Sequence, residues 1–291
     1  MTTEHKYVLG ADIGGSHITA ALLDMKERVV LEHSLTRKPI NSAATCEVIM
    51  EAWAEAILEA HQKANVKLEK IGLAMPGPFD YEKGISYITG TEKYEAFYGL
   101  NIKEILATQL DIGAEAIRMR NDAESFLAGE TFSGAAQDYS KVIGITLGTG
   151  LGSAIFENAE VHDANLWCAP YLESIAEDYI STRWFLKRYN ELTGLNISNV
   201  KDLVALYDES DIVKQIFEEF SINLAAFLES FIRKANAEAI VIGGNISKAS
   251  GKFLPGLSEA LKKLGVNQPI FISEMTEVAA LAGAASCWKN P

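Results

Sequence analysis

The stretch GADIGGSHITAALLD at Gly10–Asp24 has a counterpart in GITLGTGLGSAIFEN at Gly144–Asn158. Each reads as an apolar strand, a glycine-rich turn and a second apolar strand. In the first copy Tyr7–Ile13 is an apolar run, Gly14-Gly15-Ser16 is the turn, and Ile18, Ala20 and Leu22 alternate with Thr19, Ala21 and Leu23. In the second, Val142–Leu147 passes through Gly148-Thr149-Gly150 into Gly152–Phe156. The copies lie about 134 residues apart, too far for a solenoid or propeller repeat. The pair therefore predicts two related α/β halves.

Working outward from the first copy, Val29–Leu35 reads as a third strand and Ala44–Ala64 as a helix. Ile49, Trp53, Ile57 and Ala60 give that helix one apolar stripe. Ile71–Met75 is a strand ended by Pro76-Gly77-Pro78, Asn101–Leu110 a helix and Ala116–Met119 a strand, for an order βββαβαβ. Outward from the second copy, helical patterns cover about Tyr171–Leu192, Asp211–Asn236 and Leu254–Leu264. Ala239–Ile242 is a strand running into Gly243-Gly244, Ile270–Ile272 another, and Glu277–Trp288 a closing helix. Strands alternating with helices imply an α/β architecture with partly parallel sheets.

The 291 residues suit roughly two domains. With 48% hydrophobic and 22% charged residues the composition is that of a soluble globular protein. The net charge of −13 argues against a nucleic-acid partner and against docking on anionic lipid. No apolar run approaches the ~20 residues of a membrane span. The opening residues lack a basic region followed by a long apolar core, so no export signal is expected. Cys46, Cys168 and Cys287 are few and widely spaced, which fits a reducing compartment and no disulfide framework. The expectation is a cytoplasmic enzyme.

Three glycine-rich turns follow apolar strands: Gly14-Gly15-Ser16, Gly148-Thr149-Gly150-Leu151-Gly152 and Gly243-Gly244-Asn245. Such turns let backbone N–H groups converge on an anion, although glycine also simply makes tight turns. A P-loop is excluded, because G-x-x-x-x-G-K-[ST] does not occur. The chain after Leu151 continues as a strand where a dinucleotide fingerprint needs a helix, so a hairpin grips the phosphate.

Together these motifs resemble the ROK family of sugar kinases, within the actin-like ATPase superfamily that includes hexokinases. The likeness covers nearly the whole chain. It rests on Asp12-x-Gly14-Gly15-Ser16 with Asp24, on Pro76-Gly77-Pro78-Phe79-Asp80, and on Asn121-Asp122-Ala123 with Gly129-Glu130. It continues through Leu147-Gly148-Thr149-Gly150-Leu151-Gly152, Ile240-Val241-Ile242-Gly243-Gly244-Asn245 and the closing Glu277-x-Ala279-Ala280-Leu281-Ala282-Gly283. The resemblance implies a two-lobed actin-like ATPase (ribonuclease H-like) fold: duplicated βββαβα-type domains with a cleft between. The lobes would be residues 1–119 plus 275–291 and residues 120–274. It also implies transfer of the γ-phosphate of ATP to a hexose hydroxyl, with the 6-OH expected, and a homodimer.

Residue by residue, the resemblance makes Asp122 the base that accepts the sugar proton; by position alone it reads equally as a helix N-cap. Asn121 would offer the sugar both a donor and an acceptor, with Gly77 beside it. Asp12 would hold Mg²⁺, through water, or bond the N–H groups of its turn. Gly14, Gly15, Ser16, Gly148, Thr149 and Gly150 would grip phosphate. Gly243, Gly244 and Asn245 would lie along the nucleoside, Asn245 standing where the family more often has glycine.

Between Ile155 and Ser181 the pattern breaks. The family's E-x-x-H and cysteine-rich zinc knot are missing; aligned on Ser181, only Cys168 falls on a zinc cysteine, and Pro170 and Ile175 take the other positions. No structural zinc is expected, and Cys168 is expected to be partly buried. Glu177 is the first candidate for a remaining sugar-binding carboxylate, Glu173 the second, and His162 could replace the missing histidine. Trp167 reads as a sugar platform or an anchor, and Lys93 as a cation for an anionic sugar or a solvated loop charge. Two other functions are consistent with the resemblance. One is a catalytically weak sugar- or nucleotide-binding sensor. The other is a repressor, which would need a DNA-binding segment before Tyr7.

Overall fold

The fold is taken from a computed structural model that describes residues 6–275 and 277–289. The chain opens with β1 (Tyr7–Ile13), β2 (His17–Asp24), β3 (Val29–Val30), β4 (Thr36–Pro39), α1 (Cys46–Ala64) and β5 (Ile71–Met75). There follow β6 (Phe79–Asp80), β7 (Ile85–Ser86), α2 (Ile102–Gln109), β8 (Ile117–Asn121) and α3 (Asp122–Phe132). Next come β9 (Val142–Leu147), β10 (Leu151–Glu157), β11 (Glu160–Asp163), β12 (Pro170–Tyr171), β13 (Ser174–Ile175) and α4 (Thr182–Thr193). The remainder is α5 (Val200–Leu206), α6 (Asp211–Ala235), β14 (Ala239–Gly243), α7 (Ser250–Lys263), β15 (Ile270–Ile272) and α8 (Glu277–Ala285).

The described residues form two compact units. The first runs to Gln137 and takes back the chain from Glu277; the second begins at Asp138. In the first, the sheet order is β3-β2-β1-β5-β8, with β4 also on β2. β1 and β2 are antiparallel, whereas β1, β5 and β8 run parallel. In the second, the order is β11-β10-β9-β14-β15, again an antiparallel hairpin followed by parallel strands. The repeat legible in the two glycine-rich hairpins is thus a repeat of whole sheets. Each unit has its own core. One gathers Trp53, Ile57, Leu73 and Phe97; the other gathers Phe185, Phe217, Phe220, Leu224 and Phe253.

The division differs from the expected break near Met119, and helix packing explains why. A Cβ on Gly129 of α3 would overlap the Ala279 carbonyl, and one on Gly283 of α8 would overlap the Ser125 carbonyl. The two backbones touch through glycine, so α3 stays with the first unit. Gly10 and Gly72 likewise face the Leu281 and Ala284 carbonyls, seating α8 directly on β1 and β5. Asp122 therefore belongs to the first unit.

Other elements also differ. The expected strand Val29–Leu35 stops at Val30, because Ser34 turns the chain: its Oγ accepts the Leu22 N–H (2.9 Å) and donates to the Leu31 carbonyl (2.6 Å). The ladder on β2 resumes as β4. The expected helix from Tyr171 starts only at Thr182. Its first residues instead form the β12–β13 hairpin, with Tyr171 Oη donating to the Asn223 carbonyl (2.8 Å). The short α5, capped by the Asn199 side chain on the Asp202 N–H (3.0 Å), was not expected.

Candidate active site

Because β1, β5 and β8 are parallel, their C-terminal ends share one edge of the first sheet. Asp12 is in register with Ala74, and Met75 with Asn121. That register brings together the Gly14-Gly15-Ser16 turn, Gly77 and the Asn121-Asp122 pair. Ligands in open α/β sheets sit at such ends.

Asp12 carries the most perturbed acid there. Burial and then the Asp122 charge push its carboxyl up to about 7, and Arg37 pulls it partly back. Arg37 reaches this region from β4, where it is opposite Thr19, the partner of Asp12 on β2. It also pairs with Glu277. A carboxyl raised by a neighbouring carboxylate is a place where a bound cation restores the charged form.

Asn121, not Asp122, is the N-cap of α3. Its Oδ1 accepts the Ala123 N–H (2.8 Å) and the Glu124 N–H (3.4 Å). Its Nδ2 donates to Tyr81 Oη (3.2 Å), which itself donates to the Met75 carbonyl (3.0 Å). The amide thus offers a ligand an N–H donor, not the donor and acceptor expected. Capping by Asn121 leaves Asp122 as the first helical residue, where its Oδ1 accepts the Ala123 N–H (2.8 Å) and the helix dipole favours its negative charge. Gly77 lies under this group, since a Cβ there would sit 3.0 Å from Tyr81 Oη.

The first glycine-rich turn is held from outside. Gly14 N–H donates to the His17 carbonyl (2.9 Å), and Ser42 Oγ donates to the Gly15 carbonyl (2.7 Å). Tyr94 Oη donates to the Gly14 carbonyl. Burial and Asp12 both raise the Tyr94 phenol above its ordinary range, so it stays a donor.

In the second unit β9 and β14 are parallel, with Thr146 in register with Gly243. Their ends carry the other two turns. Gly148 N–H donates to the Gly150 carbonyl (3.0 Å), and the Thr182 N–H at the start of α4 donates to the Gly148 carbonyl (2.8 Å). The Thr149 side chain is exposed at the tip. Gly244 has φ +86° and its Cα faces the Leu147 backbone so closely that a Cβ would overlap it; only glycine fits. A cavity of about 740 Å³ opens beside these turns, lined by Thr149, Thr182, Asn199, Lys201, Asn245 and Lys248 among others. Lys248 Nζ donates to Asn245 Oδ1 (3.0 Å).

Glu177 braces the second turn. Its Oε2 accepts the Leu151 N–H (2.9 Å), its Oε1 pairs with Arg183, and a Cβ on Gly150 would overlap its carboxylate. Glu173 is exposed in the turn between β12 and β13. His162 is exposed on β11, 3.7 Å from Glu160. Neither side chain is among the groups that Glu177 bonds. The indole N–H of Trp167 donates to Asn165 Oδ1 (2.7 Å). Cys168 is exposed, contrary to expectation, because the Leu166–Cys168 turn stands at the surface. Among the described residues no group of three or more His, Cys, Asp and Glu side chains is placed to hold a metal ion. No helix among them is long and apolar enough to cross a membrane.

Arg37, Ser42, Tyr81, Thr182, Lys201 and Lys248 escaped the sequence reading. Arg37, Ser42, Tyr81 and Thr182 act on residues far along the chain, whereas Lys248 bonds Asn245 three residues before it and Lys201 lines the cavity. Only the Asn199-x-x-Asp202 cap left a local signal.

The ROK family profile matches residues 8–166. The N-acetyl-D-glucosamine kinase of Mannheimia succiniciproducens is 26% identical over 269 residues, covering 82% of this chain and 84% of that relative. The crystal structure of a ROK hexokinase from Thermus thermophilus superposes with a TM-score of 0.80 at 22% identity, covering 96% of each chain. A ROK family glucokinase from Streptomyces griseus, crystallised with glucose and AMPPNP, gives 0.76 at 20% identity, covering 97% of this chain and 98% of that one.

Proposed function

The chain belongs to the ROK family and has its actin-like ATPase fold, and from that premise we propose that it transfers the γ-phosphate of ATP to the 6-OH of a hexose or an N-acetylated hexosamine. The observation that carries this reading is the convergence of Asp12, the Gly14-Gly15-Ser16 turn, Asn121 and Asp122 at one sheet end. The N-acetyl-D-glucosamine kinase and glucokinase activities in the relatives' names support the acceptor class.

Phosphoryl transfer asks mainly for positioning and charge stabilisation. In this reading Asp122 accepts the proton of the attacking hydroxyl as the hydroxyl oxygen bonds to the γ-phosphorus and the bond from that phosphorus to the departing ADP oxygen breaks. Asn121 orients a neighbouring hydroxyl through its second amide N–H. The Gly14 and Gly148 N–H groups are spent within their own turns. In the first unit the N–H groups of Gly15 and Ser16 are suited to phosphate oxygens, and in the second unit those of Thr149 and Gly150, with the Thr149 hydroxyl, are suited to the same task. The cavity beside Thr149 and Asn245 falls within the ~300–1,000 Å³ range of ligand sites and takes the nucleoside. Asp12 fits a water-mediated Mg²⁺ site, because its raised carboxyl gains most from a cation. Mg²⁺, when bound, neutralises charge on the phosphates. An acidic protein binds a polyanion here through its turns and metal, without a basic patch.

The test is ADP release over a panel of glucose, mannose, N-acetylglucosamine, N-acetylgalactosamine and N-acetylmannosamine, with the product position read by phosphorus NMR. One sugar turned over well, with phosphate on the 6-OH, is the expected result. Absence of turnover with every sugar, alongside calorimetric sugar binding, would favour a sensor. The engagement of Glu177 by the Leu151 N–H and Arg183 motivates keeping that reading, since it occupies the first candidate for a sugar-binding carboxylate.

A further inference from the structure

The loop Thr89–Tyr94 ends in a residue locked into the core. The Tyr94 ring is 1% exposed. It packs edge-on against Trp53 at 5.9 Å and stacks on Phe97 at 5.5 Å. Its N–H donates to the Ser42 carbonyl (2.7 Å). Tyr94 also holds φ +57°, a left-handed conformation that a bulky side chain keeps only when its surroundings impose it. The backbone on one side of Lys93 is therefore fixed. On the other, Thr91 Oγ1 donates to the Lys93 carbonyl (2.9 Å).

From that fixed point the Lys93 side chain lies across the first glycine-rich turn. A Cβ on Gly15 would be 2.9 Å from Lys93 Nζ, 3.1 Å from its Cδ and 3.2 Å from its Cε. The outer half of the side chain rests on the bare Cα of Gly15. Among the described residues its ammonium makes no hydrogen bond or ion pair, whereas most other cations of the unit do. A cation without a protein partner, laid on a turn that presents N–H groups to an anion, is placed to complete that anion site.

We infer that Lys93 is a phosphate-binding residue of the Gly14-Gly15-Ser16 turn, neutralising the terminal phosphoryl oxygens of the nucleotide. The inference rests on the kinase reading above and assigns Lys93 to the phosphate end of the substrates, not to an anionic sugar. The missing side chain of Gly15 is what leaves room for the lysine stem on the turn.

Calorimetric titration of the full chain with Mg²⁺ and the non-hydrolysable analogue AMPPNP, without sugar, tests this directly. Lys93→Met keeps the aliphatic stem on Gly15 and removes the charge. It should weaken AMPPNP binding roughly tenfold, as loss of a charged hydrogen bond does, leave AMP binding nearly unchanged, and leave Tm unaltered. Lys93→Arg should restore most of the affinity. The gap between wild type and Lys93→Met should narrow at high salt, because the group is exposed. Wild-type affinity for AMPPNP in Lys93→Met would overturn the inference while leaving the kinase reading intact. A change confined to the sugar KM would overturn it in favour of a sugar contact. A wild-type chain that binds no adenine nucleotide would remove the kinase reading and this inference together.

Discussion

Asn121 takes the capping duty that either member of the pair could have performed, and this division of labour sets what each can do. Asp122→Asn should lower kcat by about 10²–10⁴-fold with little change in sugar binding, as expected for loss of a general base; stopped turnover with unchanged calorimetry is the measurement. Tyr81→Phe removes the hydroxyl that receives the Asn121 amide. The amide then rotates more freely about its capping bonds, and the sugar KM should rise several-fold, by roughly 1 kcal/mol, with kcat largely kept. Asp12 makes a pH prediction. Its folded pKa of about 7 lies above the usual 3.8, so the folded state holds the proton more tightly than the unfolded state. Stability then falls as pH rises from about 4 to about 7, and the cost is complete above that. Asp12→Asn should therefore raise the Tm of the metal-free protein by roughly 5 °C at pH 8 and by much less at pH 5. A scanning-fluorimetry series across pH decides it.

At the scale of elements, the glycine seam between α3 and α8 is the least forgiving packing in the first unit. Gly283→Ala drives a methyl into the Ser125 carbonyl and should destabilise by about 1–3 kcal/mol. Gly251→Ala near the start of α7 meets nothing within 4 Å and should stabilise by about 0.5–1 kcal/mol. Urea titrations of the two variants give opposite midpoint shifts. The strands that carry the turns were legible in the sequence because they are buried on both faces and read as apolar runs. β4 was not, because Thr36–Pro39 is short and polar and is a strand only by virtue of β2 beside it. The start of α4 was overrun because aromatic and apolar residues at Tyr171, Ile175 and Tyr179 mimic a helical stripe while serving a hairpin and a turn. The site divided in the same way. Asp12, Asn121, Asp122 and Thr149 announce themselves by their neighbours in sequence. Tyr81, Tyr94 and Lys93 act through contacts made only once β1, β5 and the loops are in place. Glu177 was singled out as a sugar-binding carboxylate, whereas its ties to the Leu151 N–H and Arg183 are tertiary facts that its neighbours in sequence do not carry.

For the molecule as a whole, two cores with no shared members predict departure from two-state unfolding. Differential scanning calorimetry should give a calorimetric enthalpy exceeding the van't Hoff value, and Mg²⁺–AMPPNP at a hundredfold excess over its Kd should add about 2.7 kcal/mol to the nucleotide-binding transition. The seat of α8 on Gly10 and Gly72 has a consequence for biosynthesis. The first sheet emerges early from the ribosome, yet one of its faces stays uncovered until residues beyond the second unit have been translated. The second unit, whose elements are contiguous in the chain, can close first, so the order of folding inverts the order of synthesis. During that interval β1 and β5 expose an apolar face, and a nascent chain stalled before α8 should be a chaperone client where one stalled after it is not.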